Sequence, residues 1–288
     1  MLSHKKINIL SFDVEDGYQG FIKRGISGWE NFKFSEEKNI NIILKILSDK
    51  KVKATFFVLA KYAKTNPKII KEIFNEGHEI ASHGYSHQVL TLLSKEEFKT
   101  DVLKSKKILS DIIGEEIYGF RAPKWSLNEK TAWALRILAE ADFKYDSSCF
   151  PSNFHEFGNS KYFNQPFIYF GDDFEIFEFP AQTIKIFGIQ VPAAGGFYLR
   201  TLPYVISNRA LRNSNEKNNY GMVYLHPFEF DVNPPIIKSG LAYRFVRYYN
   251  LDKTEKYFVR LLNDFNFSNI MNVIGSDLIK NFSRRHIL

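Results

Sequence analysis

Eight side chains in this sequence are of types that could together hydrolyse a bond with the help of a metal ion. Asp13, Glu15 and Asp16 fall in SFDVED, directly behind the apolar stretch INIL. His83 and His87 fall in HGYSH, Arg121 opens RAPKW, Asp146 follows FKY, and His226 closes MVYL. Two imidazoles and a carboxylate form a nitrogen and oxygen donor set suited to Zn2+ or a similar divalent ion, with positions left open. An ion held in this way makes water nucleophilic near neutral pH, and a second carboxylate nearby can take the proton. Taken singly these signals are weak. His-x-x-x-His arises often by chance and meets on one face only if the segment turns helically, and an acidic cluster is most often a solvated turn.

The elements that must position these residues give them more weight together. Strand-like apolar runs alternate with amphipathic helical patterns through the first 150 or so residues, the signature of βα units around a parallel sheet. INILSF (7–12), KATFFVLA (53–60), EIAS (79–82) and EIYGF (116–120) read as strands, and MVYLHP (222–227) as a late one. Helices are expected over 35–50, starting at Ser35; from Asn66 as N-cap with Pro67 next, ending before Gly77; and from Ser94 to about 113, with Ser94 and Glu97 as a capping box. Asn128 can cap EKTAWALRILAEA, and FKYDSS ends a strand. Residues 150–200 change to aromatic segments with Gly and Pro, read as hairpins and long loops, and a helical tail surrounds 252–265. In parallel α/β sheets, chemistry collects at the carboxyl ends of strands. All eight residues sit at such ends.

The 288 residues, 44% apolar and 16% aromatic, suffice for a large core, and no linker or repeat divides them. The formal charge of +7 is spread mostly as Lys over helix faces, and no nucleic-acid module is recognisable; a basic surface attracting anionic glycans or lipid headgroups is the milder reading. Cys149 is the sole cysteine, which excludes an intrachain disulfide and a thiolate cluster. Neither a signal-peptide pattern nor a membrane-spanning apolar run is present, so a cytoplasmic location is expected, with a membrane-peripheral one left open.

The ordered set SFDVED, SHGYSH, GFRAPKW and YLHP resembles the NodB-type polysaccharide deacetylases, carbohydrate esterase family four, over about residues 7–231. DVED, RAPKW, YDSS, GGFYLRTLPY and HPFEFD further resemble the bacterial subgroup tied to exopolysaccharide loci, which has its own C-terminal extension. The resemblance implies an α/β fold, a distorted (β/α) barrel of about seven strands, as one catalytic domain over 1–288 with the extension from about 230. It implies a divalent metal, usually Zn2+, with Co2+ or another ion as alternative, and hydrolysis of an N-acetyl group from a sugar in a glycan or glycan precursor.

By the same resemblance Asp13 is the general base, His83 and His87 are metal ligands, Arg121 holds the base charged and oriented, and His226 is the general acid. Trp125 walls the pocket for the acetyl methyl, and the backbone N–H near Lys124 helps stabilise the oxyanion. Asp146 orients His226 or Arg121. The family's usual acidic motif is two adjacent aspartates, whereas Val14 and Glu15 separate Asp13 from Asp16 here. Strand alternation puts Asp13 and Glu15 on one face and favours Glu15 as the acidic ligand; Asp16 takes that place if the chain leaves the strand at Val14. Arg200, in GGFYLR, reaches an anionic group of the substrate or is paired structurally. His4, His78, His155 and His286 belong to no constellation, and the aromatic run Phe167, Tyr169 and Phe170 is expected in the core. A related amidohydrolase acting on a small non-sugar amide, or a non-catalytic glycan-binding protein, are the alternatives. The oligomeric state and the sugar are not specified.

Overall fold

The computed structural model describes residues 6–22, 24–31, 36–276 and 282–286. Its centre is a sheet with strands β1 (Ile7–Val14), β2 (Thr55–Val58), β3 (Glu79–Ser82), β4 (Gly119–Phe120), β5 (Tyr145–Asp146), β6 (Phe167–Phe170), β7 (Glu175–Glu178), β10 (Met222–Leu225), β11 (Asn266–Ser268) and β12 (Ser283–His286). The order is β10-β1-β2-β3-β4-β5-β7-β6-β12, with β11 also paired to β1. Every pairing from β10 through β7 is parallel, so these strands form the expected run of about seven. Beyond it β6 turns antiparallel to β7 and β12 follows β6. Strands β8 (Thr183–Ile186) and β9 (Ile189–Pro192) form a separate antiparallel hairpin. The hairpins expected within 150–200 are therefore β6–β7 and β8–β9.

The helices are α1 (Gln19–Ile22), α2 (Glu36–Lys50), α3 (Ala60–Thr65), α4 (Pro67–Asn75), α5 (Lys95–Ile113), α6 (Trp133–Glu140), α7 (Gly196–Thr201), α8 (Tyr204–Glu216), α9 (Leu241–Tyr248), α10 (Thr254–Asp264) and α11 (Ile270–Ile274). Among the described residues, none is long and apolar enough to cross a membrane.

Both faces of β1 and β2 are covered, which is why their sequences run almost continuously apolar. Leu10, Phe12, Val14, Phe56 and Val58 point to the helix layer, where the Phe12 and Phe56 rings stack at 5.0 Å and the Phe258 ring of α10 meets Phe12 edge-on at 5.8 Å. Ile9 and Phe57 point to the other side, into a second cluster with Trp125 and Tyr145. Alternation thereby delivers Ser11 and Asp13 to this inner face, beside Phe57.

Several local expectations hold in altered form. The Ser94 hydroxyl accepts from the Glu97 N–H at 3.2 Å while the Glu97 carboxylate accepts from the Ser94 N–H at 2.8 Å, completing the capping box of α5. Asn66 does not cap α4 with its side chain; its amide donates back to the Tyr62 carbonyl at 3.0 Å, closing α3 instead. Asn128 caps a 3-10 turn that leads into α6. Ser35 lies outside the described residues. The strand expected over 116–120 is only Gly119–Phe120, and it crosses β5 closely: a Cβ on Gly119 would lie 2.0 Å from the Tyr145 ring.

Candidate active site

Arg121 is the hub. Its backbone N–H continues the β3–β4 ladder by donating to the Ser82 carbonyl at 2.9 Å, which directs the side chain beneath the ends of β1 and β5. There the fully buried guanidinium lies between the Phe57 ring at 3.9 Å and the Trp125 ring at 4.1 Å. Nη1 donates to Asp13 Oδ1 at 2.5 Å and to Ser11 Oγ at 3.1 Å, Nε to the Ser147 carbonyl at 3.1 Å, and Nη2 to Ser147 Oγ at 2.9 Å. A charge-assisted bond of this kind in a dry interior fixes the position and orientation of the Asp13 carboxyl group.

Glu15, His83 and His87 converge next to it. One ligand atom from each lies within 4.8 Å of the others. His83 Nδ1 faces the Arg121 carbonyl at 2.8 Å, so it carries the proton and donates, which leaves Nε2 as a free lone pair. Burial pulls the His83 pKa down to about 4, against the opposing charges of Asp13 and Glu15. Burial alone would raise Glu15, but the charge and hydrogen bond of His87, then the fields of His226 and His83, outweigh it and hold the carboxyl far below the usual range. Glu15 Oε2 pairs closely with His87 Nε2, and His87 Nδ1 is buried without a hydrogen-bond partner. Two converging imidazoles and an ionised carboxylate, with ligand atoms this close together, form a donor set that fits a divalent cation.

The histidines do not meet by a helical turn. His83 to His87 is a loop in which Gly84 and His87 have φ of +74° and +57°. Asp101, on α5, holds this loop by accepting from the Tyr85 N–H at 2.7 Å, the Ser86 N–H at 3.0 Å and the Ser86 hydroxyl at 2.5 Å. The imidazole rings end 5.2 Å apart.

Asp16 lies outside the triad. Its Oδ2 accepts from the Gln19 amide at 3.4 Å, and burial raises its pKa against hydrogen bonds from Tyr18 and Gln19. The chain stays extended through Val14, so alternation carries Glu15 inward and Asp16 aside.

His226, just past β10, approaches from the opposite side. Nε2 lies 3.9 Å from Asp13 Oδ2, and Nδ1 lies 2.8 Å from Glu229 Oε1. Burial lowers its pKa, but the bond to Glu229 and the charges of Glu229, Asp13 and Glu15 together leave it raised. Behind it, Arg200 Nε donates to Glu229 Oε2 at 3.3 Å and Arg200 Nη2 donates to the Val246 carbonyl at 2.7 Å; Nη1 also bonds the Tyr249 carbonyl. Arg200 is buried and its donors are engaged within the protein, so of its two readings the geometry agrees with structural pairing and not with a substrate contact.

Asp146 also departs from expectation, touching neither His226 nor Arg121. Its Oδ1 accepts from Ser148 Oγ at 2.5 Å, and Ser148 Oγ in turn accepts from the Ala122 N–H at 2.7 Å. Across the ladder it faces Glu178, whose Oε1 accepts from the Ser148 and Cys149 N–H groups at 3.2 and 3.0 Å.

Trp125 is buried against Arg121, Phe150 and Tyr224. Lys124 and Trp125 have φ of +55° and +50°, a strained pair of the kind found at working sites. The Lys124 ammonium pairs with Glu156 at 2.9 Å. Of the histidines without a constellation, His78 accepts from the Ala54 N–H and His155 stacks on Phe150; His4 lies outside the described residues. Phe167 is buried, whereas Tyr169 and Phe170 are half-buried on β6.

Glu229, Ser11, Ser147 and Asp101 are the supports that sequence reasoning missed. Only Glu229 has a local signal, its spacing of three from His226 across Pro227.

Comparison with known proteins agrees with this geometry. Residues 4–145 match the polysaccharide deacetylase family model, and residues 147–275 match a domain of unknown function, DUF3473. A peptidoglycan-N-acetylglucosamine deacetylase of Bacillus cereus is 38% identical over 93 residues, 32% of this chain and 34% of that protein. The chain thus spans about a third of the length of that relative. A Mycobacterium smegmatis structure, described provisionally as a polysaccharide deacetylase, shares the fold with a TM-score of 0.64 at 18% identity, over 99% of this chain and 95% of that one. A CE4 family pseudoenzyme from Bacillus anthracis shares it with a TM-score of 0.51 at 14% identity, over 98% and 70%. The acidic, His-x-x-x-His and Arg-Ala-Pro segments gathered on one face all fall within the stretch that matches the polysaccharide deacetylase family model.

Proposed function

We propose that this protein is a metal-dependent N-deacetylase of an N-acetylated saccharide. The relation that best supports this reading is the double engagement of Asp13: one oxygen lies 2.5 Å from Arg121, the other 3.9 Å from His226, next to the Glu15, His83 and His87 group. A base and an acid facing one small volume beside a cation site are what amide hydrolysis needs.

Glu15, His83 and His87 would hold the ion, Zn2+ being the natural choice for this donor set. Such an ion supplies Lewis acidity toward the acyl oxygen and lowers the pKa of water. Asp13, held in place by Arg121, takes the proton of the attacking water as the C–O bond forms. His226, kept protonated by Glu229, gives a proton to the nitrogen as the C–N bond breaks, releasing acetate and a free amine. Trp125 borders the acetyl methyl, and the backbone at Lys124 contributes to the oxyanion site.

Both matched segments are needed for this chemistry, because Ser147 holds Arg121 and Arg200 with Glu229 holds His226. The chain therefore acts as one catalytic unit, with the part after about residue 230 as an extension particular to the exopolysaccharide-associated subgroup. Since a protein described as a pseudoenzyme shares the fold, activity rests on the side chains and not on the architecture.

Acetate release from chitooligosaccharides and peptidoglycan fragments, followed with added Zn2+ or Co2+, tests the reading. Wild type should be active and Asp13→Asn inactive while still binding metal. Near-normal turnover by Asp13→Asn, or turnover of small cyclic amides alone, would sink it.

A further inference from the structure

Helix α9 is amphipathic in the reverse sense. At about 100° per residue, Leu241, Ala242, Phe245 and Val246 fall within one arc of about 140°, and this arc faces outward: Leu241 is 84%, Phe245 50% and Val246 44% exposed. Tyr249, 43% exposed, extends the stripe by stacking on Phe245 at 4.5 Å. The inward face holds the polar residues. Arg247 is buried, donates to the Gly17 carbonyl at 2.7 Å and lies 3.7 Å from the Phe228 ring, while the Tyr248 hydroxyl donates to the Pro235 carbonyl at 3.1 Å. Phe245 meets the Phe197 ring at 5.7 Å within the fold, but the rest of the stripe is left to water unless another apolar phase covers it.

The surroundings indicate which phase. From Val232 to Tyr249 the chain has three cations, Lys238, Arg244 and Arg247, and no carboxylate. Lys238 and Arg244 are exposed, as is Arg24, whose guanidinium lies 4.5 Å from the Tyr243 ring of α9. Exposed Ile236 and Ile22 add to the apolar surface around the helix. Apolar and aromatic side chains rimmed by exposed Lys and Arg suit an anionic bilayer surface, where the rings enter the headgroup boundary and the cations meet phosphate. The formal charge of +7 acts in the same direction.

We propose that α9 seats this protein on an anionic membrane surface, and that the deacetylase acts there on a lipid-linked saccharide; the second clause rests on the function proposed above. The seat is tied to the catalytic residues at two points. Arg247 holds Gly17, two residues beyond Glu15, and the carbonyls of Val246 and Tyr249 hold Arg200, which holds Glu229 and through it His226. Docking α9 therefore places the mouth of the site beside the headgroups.

Flotation with phosphatidylcholine vesicles, with and without phosphatidylglycerol, tests the seat, with acetate release from soluble chitooligosaccharide measured in parallel. Wild type should float with the anionic vesicles, less in high salt, and barely with the neutral ones. The Leu241→Asp and Phe245→Asp double variant should lose at least about tenfold in partitioning, the loss expected from two buried apolar side chains. It should keep its melting temperature and its activity on the soluble substrate. Leu92→Asp, which removes another exposed leucine elsewhere, should float as wild type. Failure of wild type to float, unchanged flotation of the double variant, or a wild-type dimer that the double variant dissolves in place of vesicle binding would overturn the proposal. None of these results bears on acetate release, so the catalytic reading stands or falls separately.

Discussion

Arg200 and Glu229 form a fully buried ion pair, 3.3 Å between Nε and Oε2, and the other oxygen of Glu229 lies 2.8 Å from His226 Nδ1. A carboxylate clamped in this way stabilises the imidazolium and raises its pKa against the cost of burial. The resulting stability is complete below the ordinary histidine value and is lost as pH rises through the raised one. Glu229→Gln should therefore reduce kcat/KM roughly tenfold to a hundredfold and move the alkaline limb of the pH profile to lower pH. A uniform loss at all pH values would show that Glu229 only supports the fold.

Arg121 should tolerate no replacement. Its planar group bonds Asp13, Ser11 and Ser147 while filling the slot between Phe57 and Trp125, a geometry that an ammonium cannot reproduce. Arg121→Ala strands Asp13 as a buried unpaired charge and should cost about 3–5 kcal/mol in urea unfolding. Arg121→Lys should unfold less readily than Arg121→Ala yet lose at least about a hundredfold in turnover.

What could be read in the sequence divides along local and non-local lines. Alternation along β1 suffices to put Asp13 and Glu15 on one face and so to favour Glu15 over Asp16, because strand geometry has a fixed period. The strand-end positions of His83, Arg121 and His226 follow from the same rule. Arg200 is ambiguous because its partner lies 29 residues away and its carbonyl acceptors lie in α9 and just after it, 46 and 49 residues away. Asp101 looks like any carboxylate on a solvated helix face, and only the packing of α5 against β3 reveals that it holds the histidine loop. Asp146 was misassigned because the order β5-β7-β6 puts Glu178 beside it, and nothing local signals that the intervening strand is passed over.

Glu15, not Asp16, should govern metal affinity. Glu15→Gln and His87→Ala each remove a member of the converging group and should weaken Zn2+ binding by more than the 10–100-fold, roughly, that loss of a supporting residue brings. Asp16→Asn alters the bonds to Gln19 and Tyr18 and removes a charge near Glu15 but no member of the converging group, and should bind nearly as wild type. Equilibrium dialysis with metal analysis separates the variants without reference to activity. A metal-free Asp16→Asn protein beside a metal-replete Glu15→Gln protein would reverse the assignment.

Asp146 and Glu178 should make the fold sensitive to alkali. The two carboxyls face each other across β5 and β7, both fully buried; burial raises both pKa values, that of Asp146 to about 6 against a hydrogen bond from Glu178, and the charge of Asp146 raises Glu178 further. Two carboxylates cannot both ionise at this distance without large repulsion, so the folded protein retains a proton that the unfolded chain gives up. The sign follows: stability from this pair is present at acidic pH and is lost as pH rises through the raised values. Glu178→Gln replaces the shared proton by a permanent amide donor. Between about pH 5 and about pH 8, wild type should lose on the order of 1–3 kcal/mol more than this variant in denaturant unfolding. The loss should reach the site as well, because Ser148 links Asp146 to the Ala122 N–H, next to Arg121. Parallel pH curves for wild type and Glu178→Gln would mean that the pair holds no proton and that another contact neutralises it.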